Sequence, residues 1–162
     1  MNKEAFVAKF RTVFEHSPWV AEAVFEKSKG QAHDAEALVR QFETVFLESE
    51  GDLQLATLRA HPQLACALAA PDQVTRDSMN EQSGAGLDQC SVAELAEFSR
   101  LNTGYNEKFG FPFIIAVKGR SRQEILKVFR QRIENDPQQE FQNALNETRR
   151  IARFRIMDII NG

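Results

Sequence analysis

Basic residues are not in excess in this chain. Its 20 lysines and arginines are outnumbered by 23 aspartates and glutamates, giving a net charge of −3. A surface built to track a nucleic-acid backbone is therefore excluded, and no nucleic-acid partner is expected, although a local anion site stays open. Cysteine is scarce too. Cys66 and Cys90 have no paired metal-ligand spacing, and the expectation is two small, packed, reduced residues in a reducing compartment. No apolar run approaches the roughly 18 residues of a membrane span, so no membrane partner is expected. The start, MNKEAFVAKF, is amphipathic and lacks the apolar core of a signal peptide. The last residues, Ile159-Ile160-Asn161-Gly162, are not a peroxisomal tripeptide, which leaves the cytoplasm as the expected location. Nor is there a GxGxxG, a P-loop, an HExxH or a CxxC, the usual marks of a cofactor or metal site.

What is present is helical periodicity. At 162 residues, 43% of them hydrophobic, the chain suits one domain spanning 1–162 with a real core. The spacing predicts an all-α bundle. Residues 3–15 place Phe6, Val7, Phe10, Val13 and Phe14 on one face. Ser17-Pro18 reads as a helix start, serine as cap and proline at the first helical position. Residues 33–47 gather Leu38, Phe42, Val45 and Phe46. Ser91-Val92-Ala93-Glu94 and Ser121-Arg122-Gln123-Glu124 are capping boxes, opening helices over about 92–108 and 122–134. A last helix is expected over 138–160. One segment departs from this pattern. Phe111-Pro112-Phe113-Ile114-Ile115-Ala116-Val117 is continuously apolar with β-branched residues, and it reads as a buried extended connector whose backbone groups must find partners in side chains or a ligand. A first helical turn or a simple core plug fits the same letters.

Several polar residues fit a purely structural reading poorly. Arg155 shares a helical stripe with Ile151 and Ile159, away from the solvated face marked by Gln142, Asn146, Arg149 and Arg153. A guanidinium does not readily shed its charge, so Arg155 should have an anionic partner, either a ligand or an internal carboxylate. His61 precedes Pro62, which biases it away from helical dihedrals. Pro62 can then open a helix through Leu64 and Leu68, leaving His61 at a loop–helix junction where an imidazole can serve as acid or base. A hydrogen-bonded structural histidine is the plainer reading, and the one that applies to His16 and His33. Ser78-Met79-Asn80-Glu81 has the form of a capping box, yet Gln82-Ser83-Gly84-Ala85-Gly86 behind it are poor helix formers. Glu81 and Gln82 offer a carboxylate and an amide able to read a urea or hydantoin edge.

These residues carry a family likeness. Ser17-Pro18-Trp19, His61-Pro62-Gln63-Leu64-Ala65, Ser78-x-x-Glu81-Gln82 with Ala85-Gly86-Leu87, and Asn102-x-x-Tyr105-x-x-Lys108-Phe109-Gly110-Phe111-Pro112-Phe113-Ile114 follow in order. Ala116-Val117-Lys118-Gly119 comes next, then Asn135, Glu140, Ala144-Leu145, Glu147, Ile151 and Arg155-Ile156. The chain resembles 2-oxo-4-hydroxy-4-carboxy-5-ureidoimidazoline (OHCU) decarboxylases over roughly residues 17 to 156. Gln63 and Ile156 depart from the family's more usual Asp and Leu, at positions with no expected chemical role.

The resemblance implies a compact helical fold, a homodimer, no metal or organic cofactor, and OHCU as the small-molecule substrate. It implies decarboxylation of OHCU to (S)-allantoin in uric acid degradation. His61 matches the catalytic histidine. Pro62, Ser78, Glu81, Gln82, Phe111, Ile114, Ile115, Ala116 and Arg155 match substrate-binding positions. Such a substrate has an adjacent ring imine to take the electron pair that decarboxylation leaves behind, the task for which other decarboxylases recruit a cofactor. Two further readings stand beside this one. A non-enzymatic helical interaction module would use Arg155 as an internal ion pair. A cofactor-free hydrolase of a ureido compound would need a nucleophile–base pair, and no serine or cysteine is recognisable as one.

Overall fold

The computed structural model describes residues 1–64, 80–81 and 84–162, and among these every regular element is a helix. The chain divides into two compact units, one formed by residues 1–60 with 148–162 and the other by 61–147.

The first unit opens with α1 (Lys3–Phe10), α2 (Trp19–Ser28), α3 (Ala35–Leu47) and α4 (Gly51–Ala60). Asn2 and Asp34 cap α1 and α3, their side-chain oxygens accepting the amides of Ala5 at 2.9 Å and Ala37 at 2.7 Å. The apolar stripe of α3 is buried as expected, and the Phe42 ring packs against those of Phe6 and Phe10 at centroid distances of 6.1 and 5.6 Å. Burying such rings is a large part of what holds helices of this length together.

Two expectations need correction here. The helix expected over 3–15 ends at Phe10. Beyond it the Val13 amide turns tightly back to the Phe10 carbonyl, and His16 takes a left-handed φ of 47°, which an α-helix cannot contain. The turn still buries Val13 and Phe14. Ser17 does not cap α2. Its hydroxyl is buried, donates to the Glu15 carbonyl at 2.8 Å and lies 2.9 Å from Thr57 Oγ1, while Pro18 precedes the helix without a side-chain cap. A buried hydroxyl takes the partners that the interior offers.

The second unit starts at His61. Pro62, Gln63 and Leu64 are not helical, so the helix expected to open at Pro62 does not begin there, and Leu68 lies outside the described residues. Asn80, Glu81 and Gly84 are helical, and a single 3-10 turn, Leu87–Gln89, follows Gly86 at φ 79°. Then come α5 (Val92–Phe109), α6 (Arg122–Arg132) and α7 (Pro137–Asn161), the last of which passes from this unit into the other after Glu147.

Between α5 and α6 the chain is irregular from Pro112 to Val117, and residues 111–117 are all buried, which is the connector that the apolar run predicts. Cys90 is disulfide-bonded, against the expectation that it is reduced, while Cys66 lies outside the described residues. Spacing along a sequence does not report distance in space, and a disulfide needs only that two Cα atoms come within about 7 Å. Among the described residues, no helix is long and apolar enough to cross a membrane.

Candidate active site

Helix α5 is the frame of the second unit. The Ser91 hydroxyl accepts the Glu94 amide at 3.1 Å, and the Glu94 carboxylate accepts the Ser91 amide at 3.0 Å. Arg122, at the start of α6, adds bonds to both Glu94 oxygens at 3.0 and 2.9 Å, fastening one helix start to the other. The Ser91 amide first, and Arg122 second, hold the Glu94 carboxyl below its ordinary range. The inner face of α5 buries Phe98, Asn102 and Tyr105. Its end is closed by Gly110 at φ 77°, a left-handed cap that glycine takes without a Cβ penalty.

From Gly110 the chain enters the buried connector carrying Phe111, Ile114, Ile115 and Ala116. An irregular backbone has no internal ladder, so its carbonyls need outside donors. Arg132, at the end of α6, supplies one: its Nη1 donates to the Ile114 carbonyl at 2.6 Å. The same guanidinium lies 4.5 Å from the centre of the Phe113 ring and donates through Nε and Nη2 to Glu140 Oε2 at 3.1 and 2.9 Å. Tyr105 Oη donates to that oxygen at 2.5 Å, while Asn135 and Asn143 donate to Oε1 at 2.9 and 2.8 Å.

Glu140 is fully buried, and burial alone would raise its pKa. The bonds from Arg132, Tyr105, Asn135 and Asn143 outweigh that and hold the carboxyl below its usual range. Burial first, and the bond to Glu140 second, push the Tyr105 hydroxyl well above its own.

His61 and Pro62 open this unit on the loop after α4, His61 half-buried and Pro62 buried. Glu81, also half-buried, belongs to the same unit. So do Phe111, Ile114, Ile115 and Ala116, brought together as one buried stretch of connector. Ser78 and Gln82 lie outside the described residues. Arg155 belongs to the first unit, where its Nη2 meets Glu15 Oε1 at 2.8 Å and its Nη1 meets the Thr12 carbonyl at 3.2 Å. The side chains of Arg155 and Glu15 are only 4% and 1% exposed, so the anionic partner that its helical stripe demands includes an internal carboxylate.

In chemical terms the second unit offers a half-buried imidazole on a loop, a carboxylate, an aromatic ring and a buried main-chain wall. The family model described as OHCU decarboxylase matches residues 1–157.

The chain belongs to the OHCU decarboxylase family.

It is 37% identical over 158 residues to the OHCU decarboxylase of Halalkalicoccus jeotgali, a match covering 98% of this chain and 86% of that protein. It is 36% identical over 160 residues to the uric acid degradation bifunctional protein PucL of Bacillus subtilis, covering 99% of this chain but only 31% of the longer relative. A crystal structure of (S)-allantoin synthase superimposes with a TM-score of 0.79 at 27% identity, over 98% of this chain and 51% of that one. The family likeness read from the motifs and the all-α fold are thus borne out.

Arg132 is the residue of the OHCU decarboxylase fold that sequence reasoning passed over. It follows Ile125 and Phe129 on the buried stripe of α6, the same pattern that singles out Arg155 on α7. Glu140 and Asn135 stand in the family likeness, but nothing in their spacing shows that both reach the carboxylate cluster beneath the connector.

Proposed function

We propose that this chain decarboxylates OHCU to (S)-allantoin, a step of uric acid degradation, and does so without a cofactor. The observation that carries the reading is the near full-length relationship to a stand-alone OHCU decarboxylase, 37% identical and covered over 86% of its length.

The chemistry follows from the substrate. The bond from ring carbon to carboxylate breaks, carbon dioxide leaves, and the electron pair enters the adjacent ring imine. The carbon bearing the ureido group must then gain a proton, and the face of delivery sets the enantiomer. The ring nitrogen that received the electron pair takes a proton from water, while His61 takes the proton from the neighbouring hydroxyl, which becomes a carbonyl, and returns it to that carbon. A positioned acid/base of this kind contributes about a hundred- to ten-thousandfold in rate.

Glu81 orients His61 or accepts the ureido N–H groups, while Ser78, Gln82 and the main chain of Ile114, Ile115 and Ala116 hold the ring edge. Pro62 and Phe111 pack on the ring and keep water out. Arg155 supplies positive field for an anionic substrate, and its bond to Glu15 fixes where that charge sits.

A homodimer in the cytoplasm is part of the same proposal. Light scattering on the purified chain and fractionation of cells test those two points. The reaction itself is tested with substrate labelled at the carboxyl carbon and generated from urate by the upstream enzymes. The chain should speed release of that label as bicarbonate well beyond the spontaneous rate. Release unchanged by added protein would reject the reading.

A further inference from the structure

The second unit begins with His61-Pro62-Gln63-Leu64, in which Pro62, Gln63 and Leu64 are not helical. Such a stretch has no ladder of its own to hold it, and Pro62 has no amide hydrogen to give. Asn102 meets it from the interior of α5, where Nδ2 donates to the Leu64 carbonyl at 2.7 Å. A carbonyl can only accept, so the chemistry fixes the amide's orientation: its NH₂ faces Leu64 and its oxygen is turned away. Asn102 is 7% exposed, and among the described residues its buried Oδ1 meets no donor.

An apolar side chain of similar volume, such as leucine, would remove that unpaired acceptor but would leave the buried Leu64 carbonyl without this donor. A residue that keeps half of its polar capacity idle in the interior is kept for the other half, here the donor to Leu64.

We propose that Asn102 is a positioning residue for His61. Anchored in an 18-residue helix, it fixes the Leu64 carbonyl, three residues after His61, and with it the direction in which the imidazole leaves the backbone. The inference rests on His61 being the proton carrier. Proton transfer depends on geometry more steeply than binding does, so loosening this tie leaves His61 present but aligned only part of the time. The loss then falls on kcat and not on KM.

The test compares Asn102→Leu in the wild-type chain and in a His61→Asn chain, with thermal unfolding of each. In the wild-type background, kcat should drop by about ten- to hundredfold with KM within about twofold. In the His61→Asn background, the same substitution should leave the residual rate unchanged, since no imidazole remains to be aimed. If Asn102→Leu does not fold, Asn102→Ala, which also removes the donor, takes its place with the same expected outcomes. Unchanged kcat, an equal loss in both backgrounds, or a raised KM with kcat intact would each overturn the inference. His61→Asn alone separates the two levels. If it keeps normal turnover, the role of His61 fails and positioning fails with it. If it loses turnover while Asn102→Leu does not, only the role of Asn102 falls.

Discussion

Arg155 and Arg132 pose the same physical problem at the scale of single residues. Each is a permanent cation in an apolar stripe, and each is answered by a buried carboxylate, Glu15 for the first and Glu140 for the second. Removing one member of such a pair costs more than the pair contributes, because the other charge is left inside. Arg155→Met should therefore lower the stability to urea by about 3–5 kcal/mol, and a second change, Glu15→Leu, should recover much of it. A loss below about 1 kcal/mol for the single variant would show that the pair is not desolvated.

Under the proposed function His61 belongs to the opposite class. His61→Asn should cut turnover about a hundred- to ten-thousandfold and move the thermal midpoint by only a few degrees. Near-normal turnover would remove it from the chemistry. The helical stripe was enough to single out Arg155, but it could not name Glu15, because that contact spans 140 residues of sequence. Nor could the letters show that the Ser17 hydroxyl is taken by Thr57 and the Glu15 carbonyl instead of capping α2.

At the scale of elements, short-range chemistry was the most legible. The Ser91 box and its helix, the caged stripe of α3 and the buried connector at 111–117 were all readable, because each depends on residues within a few positions of one another. The end of α1 and the course of the chain after Pro62 were not. The first depends on a left-handed turn at His16. The second depends in part on an asparagine in another helix. Ser91→Ala should cost about 1 kcal/mol, seen as a shift in the urea midpoint at unchanged slope.

The connector rests on Glu140, and this makes acid the sensitive direction. The folded carboxyl is depressed below its ordinary value of 4.5, so the stability it contributes is present at higher pH and is lost as pH falls through the folded pKa. The thermal midpoint should therefore decline on acidification below about pH 4.5, and Glu140→Gln, though less stable throughout, should show a shallower decline. Equal slopes for the two chains would place the acid sensitivity elsewhere.

At the scale of the whole molecule, the proposed function turns on a substrate that brings its own electron sink. A small helical protein then needs only to bind an anionic ring, keep water away and deliver one proton to one face. The all-α class and the family were readable from the chain because the motif blocks recur in order over nearly its whole length. The division into two compact units was not readable, since no linker or shift of composition marks residue 61 or residue 148. One proton delivered to one face has a direct optical signature. With OHCU generated in situ from urate and circular dichroism followed in time, this chain should make the signal of (S)-allantoin rise faster than spontaneous decay allows, and His61→Asn should abolish the gain. Allantoin that appears at the spontaneous rate and without optical activity, whether or not the chain is present, would mean that it does not carry out this reaction.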